Sequence, residues 1–234
     1  MAKLIAVCGA PRSGKTVLSL QLAMEINAVC KQAVAMISPD VVVPTLGLLF
    51  PHNKDHTLYS IGTALDRPDV RKADILGAMN FIKGRDNLSI LGYKTGENRH
   101  SYSVPTRDRA IDLLREMRNM VAYIIVDCTN ASDDAVSVYA MEHADQMLQV
   151  SSPDLPSMIY NAATKYENAL KVMNIVESDV ILPVSEVKEH FGAAFTLPYS
   201  RALKQQWITG TLTEMVSDSR YQKVMRSITR AVLP

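Results

Sequence analysis

The sequence is poor in the features that mark exported, membrane-spanning or polyelectrolyte-binding chains. It holds only three cysteines, Cys8, Cys30 and Cys128, which are odd in number, far apart and set in apolar runs. That usage argues against a disulfide framework and fits small buried side chains in a reducing compartment. Long hydrophobic runs are also missing. The longest, Val41 to Phe50, is broken by Pro44 and Gly47 and is half the roughly 20 residues a spanning helix needs. Charge of one sign is lacking too: 25 Lys+Arg stand against 24 Asp+Glu, a net +1. No global basic field therefore draws the chain onto nucleic acid or an anionic membrane, and no direct nucleic-acid partner is expected. There is no repeat, low-complexity tract or Gly/Ser linker. The short apolar stretch Leu4 to Cys8 runs into a polar loop rather than forming an export signal, so the expected address is cytoplasmic.

Chemistry-bearing patterns are equally selective. His52, His56, His100, His143 and His190 show no metal-ligand spacing, the cysteines form no C-x-x-C pair, and no serine sits in a G-x-S-x-G context. A zinc site and a nucleophilic hydrolase are both unsupported.

What is present is a chain of 234 residues, 47% hydrophobic and 21% charged, the composition of a folded globular protein. One domain over residues 1–234 is expected. Short β-branched runs alternate with longer helical patterns. Leu4 to Cys8 precedes Thr16 to Val29; Ala33 to Ile37 and Leu88 to Leu91 are further strands. Arg107 to Met117 reads as a helix, Ala122 to Val126 as a strand, Ala131 to Glu142 as a helix and Gln146 to Val150 as a strand. Leu170 to Val176 and Phe195 to Leu197 follow as strands, and Tyr221 to Val232 as a closing helix. Strands apolar on both faces, such as Tyr123-Ile124-Ile125-Val126, suit a parallel sheet covered by helices on both sides. The prediction is a three-layer α/β fold with a mostly parallel central sheet. Pro51 to Asp74 and Tyr93 to Arg107 are the least regular stretches, candidate surface or switch loops.

The sharpest motif is Gly9-Ala10-Pro11-Arg12-Ser13-Gly14-Lys15-Thr16, which fits G-x-x-x-x-G-K-[ST] between an apolar strand and an amphipathic helix. Its glycines let backbone N–H groups converge on phosphate oxygens, and the following helix adds its positive end. The phosphate-contacting run is placed from Gly9 to Val17. Lys15 is expected on the β- and γ-phosphates and the Thr16 hydroxyl on Mg²⁺. A P-loop NTPase also needs a carboxylate for the metal at the end of a buried strand, and Asp127 fits, a turn start or a cap of the helix from Ala131 being the less favoured alternative. Asp40 is a second candidate acid whose plainer reading is a turn residue.

Several segments in order resemble the ParA/MinD-like P-loop ATPases, including the CpaE/TadZ type of pilus-assembly ATPase. Val34-Ala35-Met36-Ile37-Ser38-Pro39-Asp40 is similar to the family strand ending in D-x-D, with Ser38 in place of the first Asp. Asp127-Cys128-Thr129-Asn130 keeps the acid of D-x-P-P and loses both prolines. Lys171 to Val176 resembles the strand ending near an adenine-reading Asn, and Phe195 to Ser200 with Gly210-Thr211-Leu212 resembles the I-P-x-D…G-x-P-L ending. The resemblance implies ATP and Mg²⁺ as ligands, water activation by Asp40, and adenine contacts from Asn174 and Pro198. It also implies a switch protein, slow in hydrolysis, that positions or assembles a larger machine through protein partners. An alternative is a nucleotide-binding interaction module with little turnover; a small-molecule kinase would need an acceptor pocket that no motif marks.

One departure bears on association. The family carries an extra lysine after the first loop glycine, reaching the partner subunit's phosphates, and this chain has Ala10 there. Arg12 is either a substitute cation or a solvated loop residue. Any homodimer is therefore expected not to be driven by ATP alone. In the closing helix, Val224, Met225, Ile228 and Val232 recur at helical spacing with Lys223, Arg226 and Arg230 around them. Packing on the chain's own sheet is favoured over peripheral membrane contact.

Overall fold

The computed structural model describes residues 2–51 and 57–233. Eight strands form one sheet: β1 (Lys3–Gly9), β2 (Val34–Ser38), β3 (Asn80–Ile82), β4 (Arg85–Gly92), β5 (Tyr123–Asp127), β6 (Gln146–Ser151), β7 (Leu170–Asn174) and β8 (Phe195–Leu197). Their order is β3-β4-β2-β5-β1-β6-β7-β8, parallel throughout except for the antiparallel β3–β4 edge.

Alternation along the strands explains the layers. Ile5, Val7, Met36 and Ile125 point into one core with residues of α1 (Lys15–Cys30) and α10 (Ser219–Val232). Leu4, Ala6, Ile37, Ile124 and Val126 point into the opposite core, against α3 (Ile61–Leu65), α4 (Lys72–Gly77), α5 (Arg107–Arg118) and α6 (Ala135–His143). Each fully buried Leu or Ile contributes about 1.5–3 kcal/mol relative to exposure, so both faces of the sheet must be covered. The closing helix turns its apolar stripe, Tyr221, Met225, Ile228 and Val232, into the chain's own core. Among the described residues, no helix is long and apolar enough to cross a membrane.

The strands Leu4 to Cys8, Ala33 to Ile37, Ala122 to Val126 and Gln146 to Val150 are found within a residue or so of their expected bounds. Other boundaries differ for local reasons. Helix α6 begins at Ala135, not Ala131, because the Asp134 carboxylate accepts from the amides of Val136 and Ser137 and caps it there. β7 stops at Asn174, and β4 starts earlier than Leu88 because it pairs with β3, a three-residue strand too short to show a period. Helices α2 (Leu46–Leu49), α7 (Leu155–Ala163), α8 (Val184–Phe191) and α9 (Arg201–Thr209) complete the chain.

The described parts of Pro51 to Asp74 and Tyr93 to Arg107 are tied down, residues 52–56 lying outside the described residues. Ile61, Ala64 and Leu65 of α3 are buried in the core. In the stretch after β4, the Glu97 carboxylate accepts from the Ser60 hydroxyl (2.6 Å), the Lys94 amide (2.8 Å) and the Tyr102 hydroxyl (2.8 Å).

Candidate nucleotide-binding site

The site lies at the carboxyl ends of the strands, beside central β1, where the sheet's connectivity divides between β5 on one side and β6 on the other. Gly9 ends β1 with φ 136°, and a Cβ on it would lie 2.0 Å from the Val150 carbonyl oxygen of β6. Gly14 has φ 83°, and a Cβ there would lie 2.4 Å from Asn174 Nδ2. No side chain could occupy either place without displacing backbone or the buried amide beside it, which is why the motif needs glycine at both. Between them Arg12 adopts a left-handed φ of 61°, uncommon for a residue with a side chain.

The loop delivers the chain into α1, whose N-cap is Gly14, with no side-chain cap and no acidic residue in the first turn. Its first amides are left for an anion, with the positive end of the helix dipole behind them. Lys15 lies over this end. Its ammonium donates to the carbonyls of Gly9 and Ala10, each at 3.2 Å, and to Asn130 Oδ1 at 2.8 Å. Burial pulls its pKa below the ordinary lysine value, against the attraction of Asp127.

Asp127 ends β5 and is 5% exposed. Its Oδ2 accepts from the Thr16 hydroxyl at 2.7 Å and from the Ser38 hydroxyl at 3.3 Å, whereas the buried Oδ1 has no partner. Burial raises this carboxyl to about 6, with Thr16 and Lys15 opposing the shift. A buried carboxylate oxygen without a hydrogen bond is costly unless a cation or water serves it. Among the described residues no group of three or more His, Cys, Asp or Glu side chains gathers as a metal cage. One hydroxyl, one carboxylate and an adjacent phosphate cradle match instead the way Mg²⁺ is held with substrate phosphates, so these residues fit the metal.

A cleft of about 650 Å³ opens in front of these groups. Pro11, Arg12, Gly14, Lys15, Thr16, Val17, Asp40, Asp127 and Asn174 line it; Gly9, Ala10, Ser13 and Pro198 do not. Ala10 and Ser13 are fully buried and brace the loop from behind: the Ser13 hydroxyl donates to Ala10 O (2.7 Å) and Ala10 N to Val150 O (3.1 Å). Asn174, 8% exposed, donates one amide hydrogen to Ser13 O at 2.9 Å. Asp40 Oδ1 accepts from the amides of Val42 and Val43, at 2.8 and 2.9 Å, closing a turn on itself.

Three contributions were given no role by the sequence, although Ser38 and Asn130 lie in the segments that resemble the family. Ser38, at the end of β2, bonds Asp127; Asn130 bonds Lys15; and the far wall comes from Tyr199, Leu203 and Trp207 at and within α9. Trp207, the single tryptophan, is 41% exposed there. His52 and His56 lie outside the described residues.

No protein-family model matches the sequence, and no curated protein matches it either; the likeness appears in three dimensions. A ParA-family ATPase from Chlorobium tepidum superposes with a TM-score of 0.76 at 17% identity, covering 98% of each chain. The septum site-determining protein MinD from Pyrococcus horikoshii, complexed with Mg-ADP, gives 0.75 at 15% identity over 99% of this chain and 96% of that one. An ATP complex of a McdA variant from Cyanothece gives 0.70 at 12% identity over 99% and 96%. The chain thus has the fold of the ParA/MinD-like P-loop ATPases over essentially its whole length. At such identities the likeness is one of architecture, and activity has to be argued from the site.

Proposed function

We propose that the protein binds ATP with Mg²⁺ and works as a nucleotide switch of the ParA/MinD-like class, a single domain of the cytoplasm that positions or assembles a larger structure through protein partners. The observation that carries this reading is the Thr16–Asp127 pair beneath a phosphate loop, with Asp127 Oδ1 buried and unpartnered. The solved relatives support it by what their names state: ATPases of cell division and of the ParA family, and complexes with Mg-ADP and ATP.

In this reading the free amides of the first turn of α1 bind the phosphates, and Lys15 supplies charge to the terminal ones. Thr16 and Asp127 hold Mg²⁺, which when bound neutralises charge developing on the phosphates. Asn174 has one amide hydrogen committed to the loop, leaving its second hydrogen and its oxygen for an adenine edge. Asp40 orients water for a slow hydrolysis.

A second reading, a binding module with little turnover, is favoured by one observation. The Asp40 carboxylate is already engaged by two backbone amides, as in an ordinary turn. A single-turnover ATPase assay with Asp40→Ala separates the two. A variant that binds ATP normally but hydrolyses it at least tenfold more slowly supports the switch. Turnover that is absent in the unsubstituted chain supports the module, and equal turnover in both removes Asp40 from the hydrolysis.

A further inference from the structure

Lys15 has three N–H donors and all three are spent inside the protein. Two go to carbonyls of its own loop, Gly9 O and Ala10 O; the third goes to Asn130 Oδ1, the shortest of the set at 2.8 Å. The first two acceptors are backbone carbonyls of the cradle itself. Asn130 comes from elsewhere, three residues past Asp127 at the end of β5, and its Nδ2 donates to the same Gly9 O at 2.9 Å. The side chain therefore lies across the loop with its oxygen towards the ammonium and its N–H₂ towards the loop backbone.

That orientation is supported from behind. Thr129 N donates to Ser137 Oγ (2.9 Å), the Thr129 hydroxyl donates to Asp134 Oδ2 (2.9 Å), and Ala131 N donates to Thr129 Oγ1 (3.3 Å). The turn carrying Asn130 is thus fastened through Thr129 to the start of α6, while Asn130 itself is exposed.

Building on the ATP reading above, we propose that Asn130 is a positioning residue for Lys15 that competes with the phosphates for the ammonium. A phosphate oxygen that takes a hydrogen bond from Lys15 must displace Asn130 Oδ1, because the carboxamide oxygen is an acceptor and repels another acceptor at the same point. Turning the carboxamide over would offer N–H₂ to the phosphate, but it would set Oδ1 against Gly9 O and lose the second bond. Asn130 thus sets how much of the phosphate affinity of the loop is expressed.

Paired substitutions read by calorimetric titration with Mg-ATP test this. Asn130→Ala removes the competitor, so Mg-ATP should bind about three- to tenfold more tightly, the ordinary net worth of one hydrogen bond. Asn130→Asp keeps the shape but places a carboxylate on Lys15 and against the phosphates, so binding should weaken about tenfold or more. The opposite signs are the signature, because a residue that merely braced the loop would weaken binding in both variants. Weaker or unchanged binding in Asn130→Ala, with the unsubstituted chain binding Mg-ATP, overturns this inference alone. An unsubstituted chain that does not bind Mg-ATP overturns the ATP reading and this one with it. Melting curves of the unliganded variants confirm that each compared chain is folded.

Discussion

Asp127 carries the largest unmet electrostatic demand of the site. Its folded carboxyl keeps a proton up to about 6, whereas the ordinary value, which the unfolded chain retains, is 3.8. Between those values the folded state holds more protons than the unfolded state, so this residue's contribution falls as pH rises from about 4 to about 6 and stays unfavourable above it. Asp127→Asn removes the ionisation while keeping the shape. The unliganded variant should therefore be more stable than the parent at pH 7.5, by up to about 3 kcal/mol, and lose that advantage towards pH 4.5. Denaturant melts at the two pH values check this; equal differences at both would place the burden elsewhere. Gly9 makes a sharper geometric demand. Gly9→Ala would set a methyl 2.0 Å from Val150 O on a positive-φ backbone, forcing β1 and β6 apart. A loss of about 2–3 kcal/mol or more in chemical denaturation is expected, and a near-neutral effect would contradict the close approach described.

At the level of elements, the cleft joins the β1–α1 loop, the ends of β2, β5 and β7, and α9. In the proposed ATP reading, Asn174, which lines the cleft and donates to Ser13 O, would stand where base and phosphate ends meet. Asn174→Ala should lower ATP affinity and narrow the preference for ATP over GTP, because the adenine edge loses its donor–acceptor pair. An equal fractional loss for both nucleotides would leave Asn174 as a brace for Ser13 O and move base reading to the wall carrying Trp207. How much of this was legible follows from the same elements. The phosphate loop was, since its chemistry needs contiguous residues of fixed type between a strand and a helix. The central strands were, since burial on both faces makes them apolar without interruption. Ser38 and Asn130 were not. Their roles exist only because β5 lies between β2 and β1, which brings Ser38 within hydrogen-bond reach of Asp127 and Asn130 within reach of Lys15. Helices α7, α8 and α9 escaped because each is only eight or nine residues long, too short for a helical period to stand out from the loops around it.

For the whole molecule, the fold is shared with the ParA/MinD-like ATPases over nearly all its length, and Ala10 stands at the position where the sequence resemblance implies a lysine for the partner subunit's phosphates. Ala10 is fully buried and neutral, so two triphosphates facing each other across copies of this loop would lack that compensation. ATP alone is expected to leave the mass in solution unchanged. Light scattering with a slowly hydrolysed analogue checks it, and a doubling of mass that vanishes in Arg12→Ala would show that Arg12 supplies the missing cation.

Lys15 is the residue whose loss would most directly disable nucleoside triphosphate binding by this loop. Its side chain adds no core packing, and the carbonyls it leaves keep other donors, Asn130 on Gly9 O and Ser13 on Ala10 O. Lys15→Ala should therefore fold like the parent while losing its main cation for the terminal phosphates. Calorimetric titration of both chains with Mg-ATP decides the matter. The account predicts binding by the parent and a loss of about a hundredfold or more in the variant, in the range of a desolvated charge-assisted contact. Equal affinity in the two chains, or none in the parent, would contradict it.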